Sequence, residues 1–392
     1  MFSVLLRARD EFARGSASCV DAFDRLALLI YGVRIPPQWS GLPPRRDGIL
    51  RGADLLLTSA EVPGTADDDS RRIALFASAT SPYIVDDEGL VRLGEEATGL
   101  RLTPFPYKRY AGPPLSYYLR TDRQNRYTRL VINPHANCFA RCKWCARTYD
   151  SHARPDRVQV PSDTDRALEP RAFRELPRTV MSVAEVLSLV TSDPAVMQGH
   201  RDLGHLTELA VLSGDFPPNI DAAAYLRSLA QAARDAGFCG RLYYAGHQIE
   251  TAAAMHALRC DGLTTFFVYT VEHFTRRLEL MPVKGKRSLD DVEAILREAG
   301  SVFPLEDIGY YLIIGIDPAS DLRRGVTRLK PLATPQPFVL TPYNFVHERL
   351  YHHDYQIERL RLVLRARDMF LELYGRPMPG GSNRSLFPLN SA

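Results

Sequence analysis

The run Asn133-Pro-His-Ala-Asn-Cys138-Phe-Ala-Arg-Cys142-Lys-Trp-Cys145-Ala-Arg147 spaces three cysteines as C-x3-C-x2-C, with Trp144 just before the last. The chain has 392 residues and only six cysteines, so this grouping is not a compositional accident. Thiolates so close on one loop converge on a soft metal centre and share its charge. Three matters more than four, because a four-iron cluster held by three cysteines keeps one iron open to a small molecule. Zinc is the alternative, since it also takes thiolates and His135 precedes Cys138 on the same loop. Zinc sites usually draw two ligands from each of two separated knuckles, and no second pair at such spacing follows.

Working outward, Arg129-Leu-Val-Ile-Asn133 is a short β-branched run leading straight into the loop. Further strand-like runs follow at Leu206–Leu212, Arg241–Ala245, Thr265–Tyr269, Ile308–Ile314 and Phe338–Leu340. Between them lie helical periods. Val183, Val186, Leu187 and Val190 share a face, as do Leu226, Leu229, Ala230 and Ala233. Asp221 caps the second of these helices and Gly237 ends it; Ser288 with Asp291 caps a later one that stops at Gly300. Six β/α units in series, with near-continuous apolar strands, predict an α/β fold with a parallel sheet covered on both faces.

With the cysteine loop after the first strand, residues 126 to 345 resemble the radical S-adenosylmethionine (radical SAM) superfamily. That resemblance implies a partial (β/α)6 TIM-type barrel, a 4Fe–4S cluster on Cys138, Cys142 and Cys145, and S-adenosylmethionine on the open iron. It also implies reductive cleavage of the cofactor to a 5′-deoxyadenosyl radical that abstracts hydrogen, with an electron donor such as flavodoxin or ferredoxin. Three domains are expected: an N-terminal accessory domain over 1–122, the barrel over 123–345, and a C-terminal helix and tail over 346–392. A cobalamin domain in the first of these would need a doubly wound sheet, and only Leu55–Leu57 and Ile73–Phe76 read as buried strands. The polar stretch Asp150–Arg178 reads as a lid or as a solvated insertion.

Ligands of parallel α/β folds sit at the carboxyl ends of the strands. Ser213-Gly214-Asp215 ends the second strand and resembles the family motif for the cofactor's amino group, with one glycine fewer and Asp for Glu. Glu272 to Arg277 resembles the segment that contacts ribose and carboxylate, with Glu272 and either Arg276 or Arg277 as candidates. Gly315 resembles the fifth-strand position against which adenine lies, and Trp144 is a further adenine candidate. For substrate, the strand ends offer His247, Lys284, Tyr343 and Asn344. A weaker resemblance to the lysine 2,3-aminomutase group stops short of its pyridoxal lysine, because no lysine follows Lys330.

The balance of 49 Lys+Arg against 46 Asp+Glu gives +3, too near neutral to suggest a nucleic-acid partner. Cys19, Cys239 and Cys260 are scattered without a disulfide pattern, so a reducing, cytoplasmic setting is expected. No uncharged apolar run approaches membrane-spanning length. No cysteine follows Cys260, which leaves nothing for the auxiliary-cluster domain of many peptide-modifying members. A small polar metabolite and a redox-neutral rearrangement, elimination or epimerisation are therefore expected. Modification of RNA or a peptide, and a zinc-binding interaction module, are the alternatives.

Overall fold

A computed structural model describes residues 2–13, 23–24, 26–28, 30–35, 55–61, 71–76, 81–104, 115–121, 127–135, 138, 140, 142, 179–193, 196–197, 201–211, 214–339 and 353–375. The chain divides into two compact units, one of residues 1–108, 313–323 and 337–392, the other of 109–312 and 324–336.

In the first unit, helix α1 (Phe2–Ala13) precedes five strands: β1 (Leu55–Glu61), β2 (Arg71–Phe76), β3 (Tyr83–Val85), β4 (Leu90–Leu93) and β5 (Glu96–Pro104). They form one sheet in the order β2-β1-β5-β4-β3, antiparallel at each pairing. This is the reverse of a doubly wound sheet, which is parallel. A buried carboxylate, Asp24, organises part of this unit. Arg9 forks onto it at 3.1 and 3.0 Å, and the Tyr83 hydroxyl donates to it at 3.1 Å.

The second unit starts with β6 (Leu115–Thr121) and β7 (Tyr127–Ile132), which pair antiparallel. After β7 come α2 (Val183–Ser192), β8 (Glu208–Val211), α3 (Ala222–Asp235), β9 (Arg241–Gly246), α4 (Ala252–Ala257) and β10 (Thr264–Glu272). The series continues with α5 (Arg277–Leu280), α6 (Leu289–Gly300), β11 (Ile308–Ile314), α7 (Ala319–Leu329) and β12 (Thr334–Val339); α8 (His353–Tyr374) belongs to the first unit. The sheet order is β12-β11-β10-β9-β8-β7-β6, with β7 through β11 paired parallel in sequence. The six expected strands are therefore neighbours in chain order. Strand β6, within the stretch 1–122, adds an antiparallel edge. Between β12 and β6 the described sheet is open, so it is not a closed barrel.

Local chemistry explains these elements. Strand β10 is buried from Thr265 to Glu272, and all four residues of β8 are buried, as strands covered on both faces require. Helices α2 and α6 each open with a capping box, Ser182 with Glu185 and Ser288 with Asp291. Asp221 caps α3 through the Ala224 amide, and Gly237 follows it at φ 96°. On one face of the sheet, Val131, Ala210, Tyr243, Ala245, Phe266 and Val268 pack into one cluster with Tyr311 against it. Below that cluster, at the amino ends, Arg129, Glu208 and Arg241 stand side by side in register.

Candidate functional site

Each strand from β7 to β10 delivers polar groups at its carboxyl end. Beyond β7, Asn133 and His135 are buried, and the His135 ring packs on Phe216 with centroids 5.0 Å apart. The cysteine loop follows, with Cys142 buried and Cys138 half-buried. After β8, the Asp215 amide donates to Cys138 Sγ at 3.5 Å. After β9, His247 Nδ1 lies 3.2 Å from Asp215 Oδ1. Gln248 locks these two turns together: its carbonyl accepts from the Phe216 amide at 2.7 Å, and its own amide donates to the Phe216 carbonyl at 2.9 Å.

Strand β10 ends on Glu272, whose φ is +64°. A left-handed conformation at a non-glycine residue costs about 1–3 kcal/mol, and such positions gather at functional sites. The ladder to β11 slips between Thr270 and Glu272, which is how the carboxylate leaves the regular register. Glu272 then bridges two groups. Lys284 Nζ donates to its Oε1 at 2.8 Å, and the Cys142 thiol sits 3.9 Å from its Oε2.

Lys284 belongs to a single 3-10 turn, Lys284–Lys286, and is the lysine of that turn that points inward. Burial opposes its charge. That is the largest single influence, but Glu272, Cys142, Asp215 and Cys138 together outweigh it, and the ammonium is held well above its usual pKa. Two of the loop's three cysteines, Cys138 and Cys142, therefore lie within the field of one inward-pointing cation. His273, next to Glu272, is pushed the other way, to about 3, by burial and then by Arg277 and Arg276. It stays a neutral ring. One level down, the buried Thr270 hydroxyl has no hydrogen-bond partner among the described residues.

The structure thus brings Cys138, Asp215 and His247 into one set of contacts and Cys142, Glu272 and Lys284 into a second, with the Lys284 charge acting on both; Gly214 adjoins the first in the chain. Arg276 turns away: its guanidinium forks onto Glu279 at 2.7 and 2.5 Å and is 60% exposed. Its own φ of +49° sets that outward course. The buried guanidinium is its neighbour Arg277. Gly315 lies in the first unit at φ 97°, where a Cβ would come within 2.8 Å of the Arg359 side chain. Its lack of a side chain admits Arg359. Trp144, Cys145, Ser213, Tyr343, Asn344 and the stretch Asp150–Arg178 lie outside the described residues.

Two residues here carry no motif in the sequence, Thr270 and Gln248. Position alone would have found them, since both sit within two residues of a strand's carboxyl end.

The donor set suits a thiolate-bound metal cluster. Two thiols of one loop face a buried ammonium, and one already accepts a backbone N–H, as outer-shell support of a sulfur ligand requires. Among the described residues no three of His, Cys, Asp and Glu gather as a metal site. Among the same residues no helix is long and apolar enough to cross a membrane.

No protein-family model matches the chain. No curated protein matches it either. Solved structures do. The FeFe-hydrogenase maturase HydG from Carboxydothermus hydrogenoformans is 15% identical, covering 62% of this chain and 51% of its own, with a TM-score of 0.40. Coproporphyrinogen III oxidase (HemN) from Escherichia coli, described as a radical SAM enzyme, is 15% identical over 44% of this chain and 42% of its own, at 0.31. The radical S-adenosylmethionine methyltransferase TsrM from Kitasatospora setae, with cobalamin and a [4Fe-4S] cluster bound, is 16% identical over 67% and 48%, at 0.34. The chain spans about half the length of each of these structures.

Proposed function

We propose that this chain is a radical SAM enzyme that acts on a small polar molecule at the carboxyl ends of its parallel strands. Cys138, Cys142 and Cys145 hold a 4Fe–4S cluster, and S-adenosylmethionine takes the iron left open. The observation that carries this reading is the meeting of a C-x3-C-x2-C loop with Asp215, Glu272 and Lys284. When bound and reduced, by a donor such as flavodoxin or ferredoxin, the cluster supplies the electron that splits the cofactor to methionine and a 5′-deoxyadenosyl radical.

The residues of the chain bind, orient and exclude water. Asp215 accepts the cofactor's ammonium. Lys284, already a fixed cation, faces an anionic group, and Glu272 holds it in place until that group arrives. With Cys142 ligated as a thiolate and its proton lost to water, Glu272 Oε2 would be left to accept from a ligand hydroxyl. His247, oriented by Asp215, and the Thr270 hydroxyl offer hydrogen bonds to the substrate. Tyr343, Asn344 and Trp144 join by their places in the sequence. Arg276 has no part, being engaged with Glu279 in solvent.

The reaction favoured is redox-neutral, a rearrangement, elimination or epimerisation, and the setting cytoplasmic. The test is anaerobic reconstitution with iron and sulfide, followed by 5′-deoxyadenosine release from S-adenosylmethionine and reductant. Small polar metabolites should stimulate release. Stimulation by RNA or a peptide alone would move the substrate to a polymer, and stoichiometric zinc without iron would reject the enzyme.

A further inference from the structure

Arg277 is buried at the start of α5, and its guanidinium is committed to backbone carbonyls. Nη1 donates to the carbonyls of Val271 and His273, both at 2.6 Å. Nε donates to the Arg287 carbonyl at 3.2 Å and Nη2 to that of Lys284 at 3.5 Å. The first two carbonyls flank Glu272; the other two bracket the turn that carries Lys284. One planar fork therefore ties together the backbones of both partners in the Glu272–Lys284 pair.

The turn is also seated on Arg277 from the other side. A Cβ at Gly285 would lie 2.2 Å from the Arg277 carbonyl oxygen and 2.3 Å from its carbon, backbone atoms that cannot swing aside. Glycine is what permits this approach. A second tether closes the segment: Arg287 forks onto Glu250 at 3.0 and 2.5 Å, and the Tyr269 hydroxyl donates to the same carboxylate at 3.1 Å.

We propose that Arg277 is a positioning residue, a latch seated on Gly285, that holds Glu272 in its left-handed conformation and Lys284 beside the cysteine loop before any ligand binds. Strained backbone persists only where its surroundings over-determine it, and here two carbonyl bonds fix the residues on either side of Glu272. The latch sets the geometry in which a buried cation meets an anionic ligand. It deepens the function proposed above, on which only the ligand arm of its test rests.

The ligand-free arm measures acetylation of Lys284 by an amine-reactive acetyl ester, read by mass spectrometry against the exposed Lys286 in the same peptide. In the wild type Lys284 reacts far more slowly than Lys286. Arg277→Lys, whose single ammonium cannot reach four carbonyls, should raise the Lys284:Lys286 ratio about tenfold through a larger open population. Gly285→Ala should do the same from the opposite side and carries the test if the first variant fails to fold. A ratio unchanged in Gly285→Ala would overturn the latch.

The ligand arm measures S-adenosylmethionine affinity of the reconstituted protein. Arg277→Lys should weaken binding about tenfold and add nothing further in Lys284→Met, because coupled residues do not give additive losses. Additive losses would overturn the proposal. A wild type that binds no S-adenosylmethionine while the acetylation ratio still moves would reject the ligand reading and leave the latch standing.

Discussion

The two ends of one sheet carry their charges in opposite ways. At the amino ends of β7, β8 and β9, Arg129 pairs with Glu208, and Glu208 with Arg241 at 2.6 Å. Arg129 also lies over the Tyr243 ring at 5.2 Å, and Arg241 over Phe266 at 4.8 Å. Their backbones are regular strand. At the carboxyl ends Glu272 is strained, Lys284 is held by a carboxylate and two thiols lie near it, and the Thr270 hydroxyl has no hydrogen-bond partner among the described residues. Charge is paired between regular strands at one end and beside a left-handed residue at the other. A buried ion pair alone says little about function. Backbone strain beside it is what separates a site from a lock.

Substitutions at the two ends sharpen that difference. The largest effect belongs to the loop: Cys138→Ala, Cys142→Ala or Cys145→Ala should each abolish iron and sulfide after reconstitution. Replacing Cys19, Cys239 or Cys260 should leave both intact. Iron lost on replacing Cys239 or Cys260 would put the cluster elsewhere.

Glu208→Ala breaks the amino-end lock and leaves Arg129 buried without its carboxylate. Removing one partner of a buried pair costs about 3–5 kcal/mol, read as a lower urea midpoint. S-adenosylmethionine affinity of the folded protein should stay unchanged, and a matching loss of affinity would erase the distinction between the ends.

Asp215→Ala should keep its iron. Losing a charged hydrogen bond worth about 1.5–3 kcal/mol corresponds to a roughly ten- to hundredfold weaker affinity for S-adenosylmethionine. Unchanged affinity would assign the ammonium to another residue.

The smallest effect is expected at Arg276. Exposed pairs such as Arg276–Glu279 contribute about 0–1 kcal/mol, so Arg276→Ala should leave affinity within a few-fold of wild type. A loss near that of Asp215→Ala would mean that its guanidinium turns inward when ligand binds.

The sequence made the parallel sheet legible because buried parallel strands are written as continuous apolar runs, as in Thr265–Tyr269 and Ile308–Ile314. Caps at Asp221 and Ser288 were equally plain. The first unit was harder to read: its strands β3 and β4 are short, with three and four residues, and pair through turns without a long apolar run. In the site, chemistry-bearing residues at strand ends were legible one by one, but their pairing was not. Arg276 and Arg277 are chemically identical neighbours, and only the left-handed backbone at Arg276 decides which of them turns inward. Nothing in the sequence marks Glu272 as strained, since glutamate does not favour positive φ.

The central claim is that the carboxyl ends of these strands hold a 4Fe–4S cluster with one iron open to S-adenosylmethionine. Electron paramagnetic resonance of the anaerobically reconstituted, reduced protein tests it most directly. The account predicts a reduced 4Fe–4S signal whose g-values shift when S-adenosylmethionine is added, and which is lost in Cys142→Ala. A signal indifferent to S-adenosylmethionine, or one that survives the loss of Cys142, would contradict it.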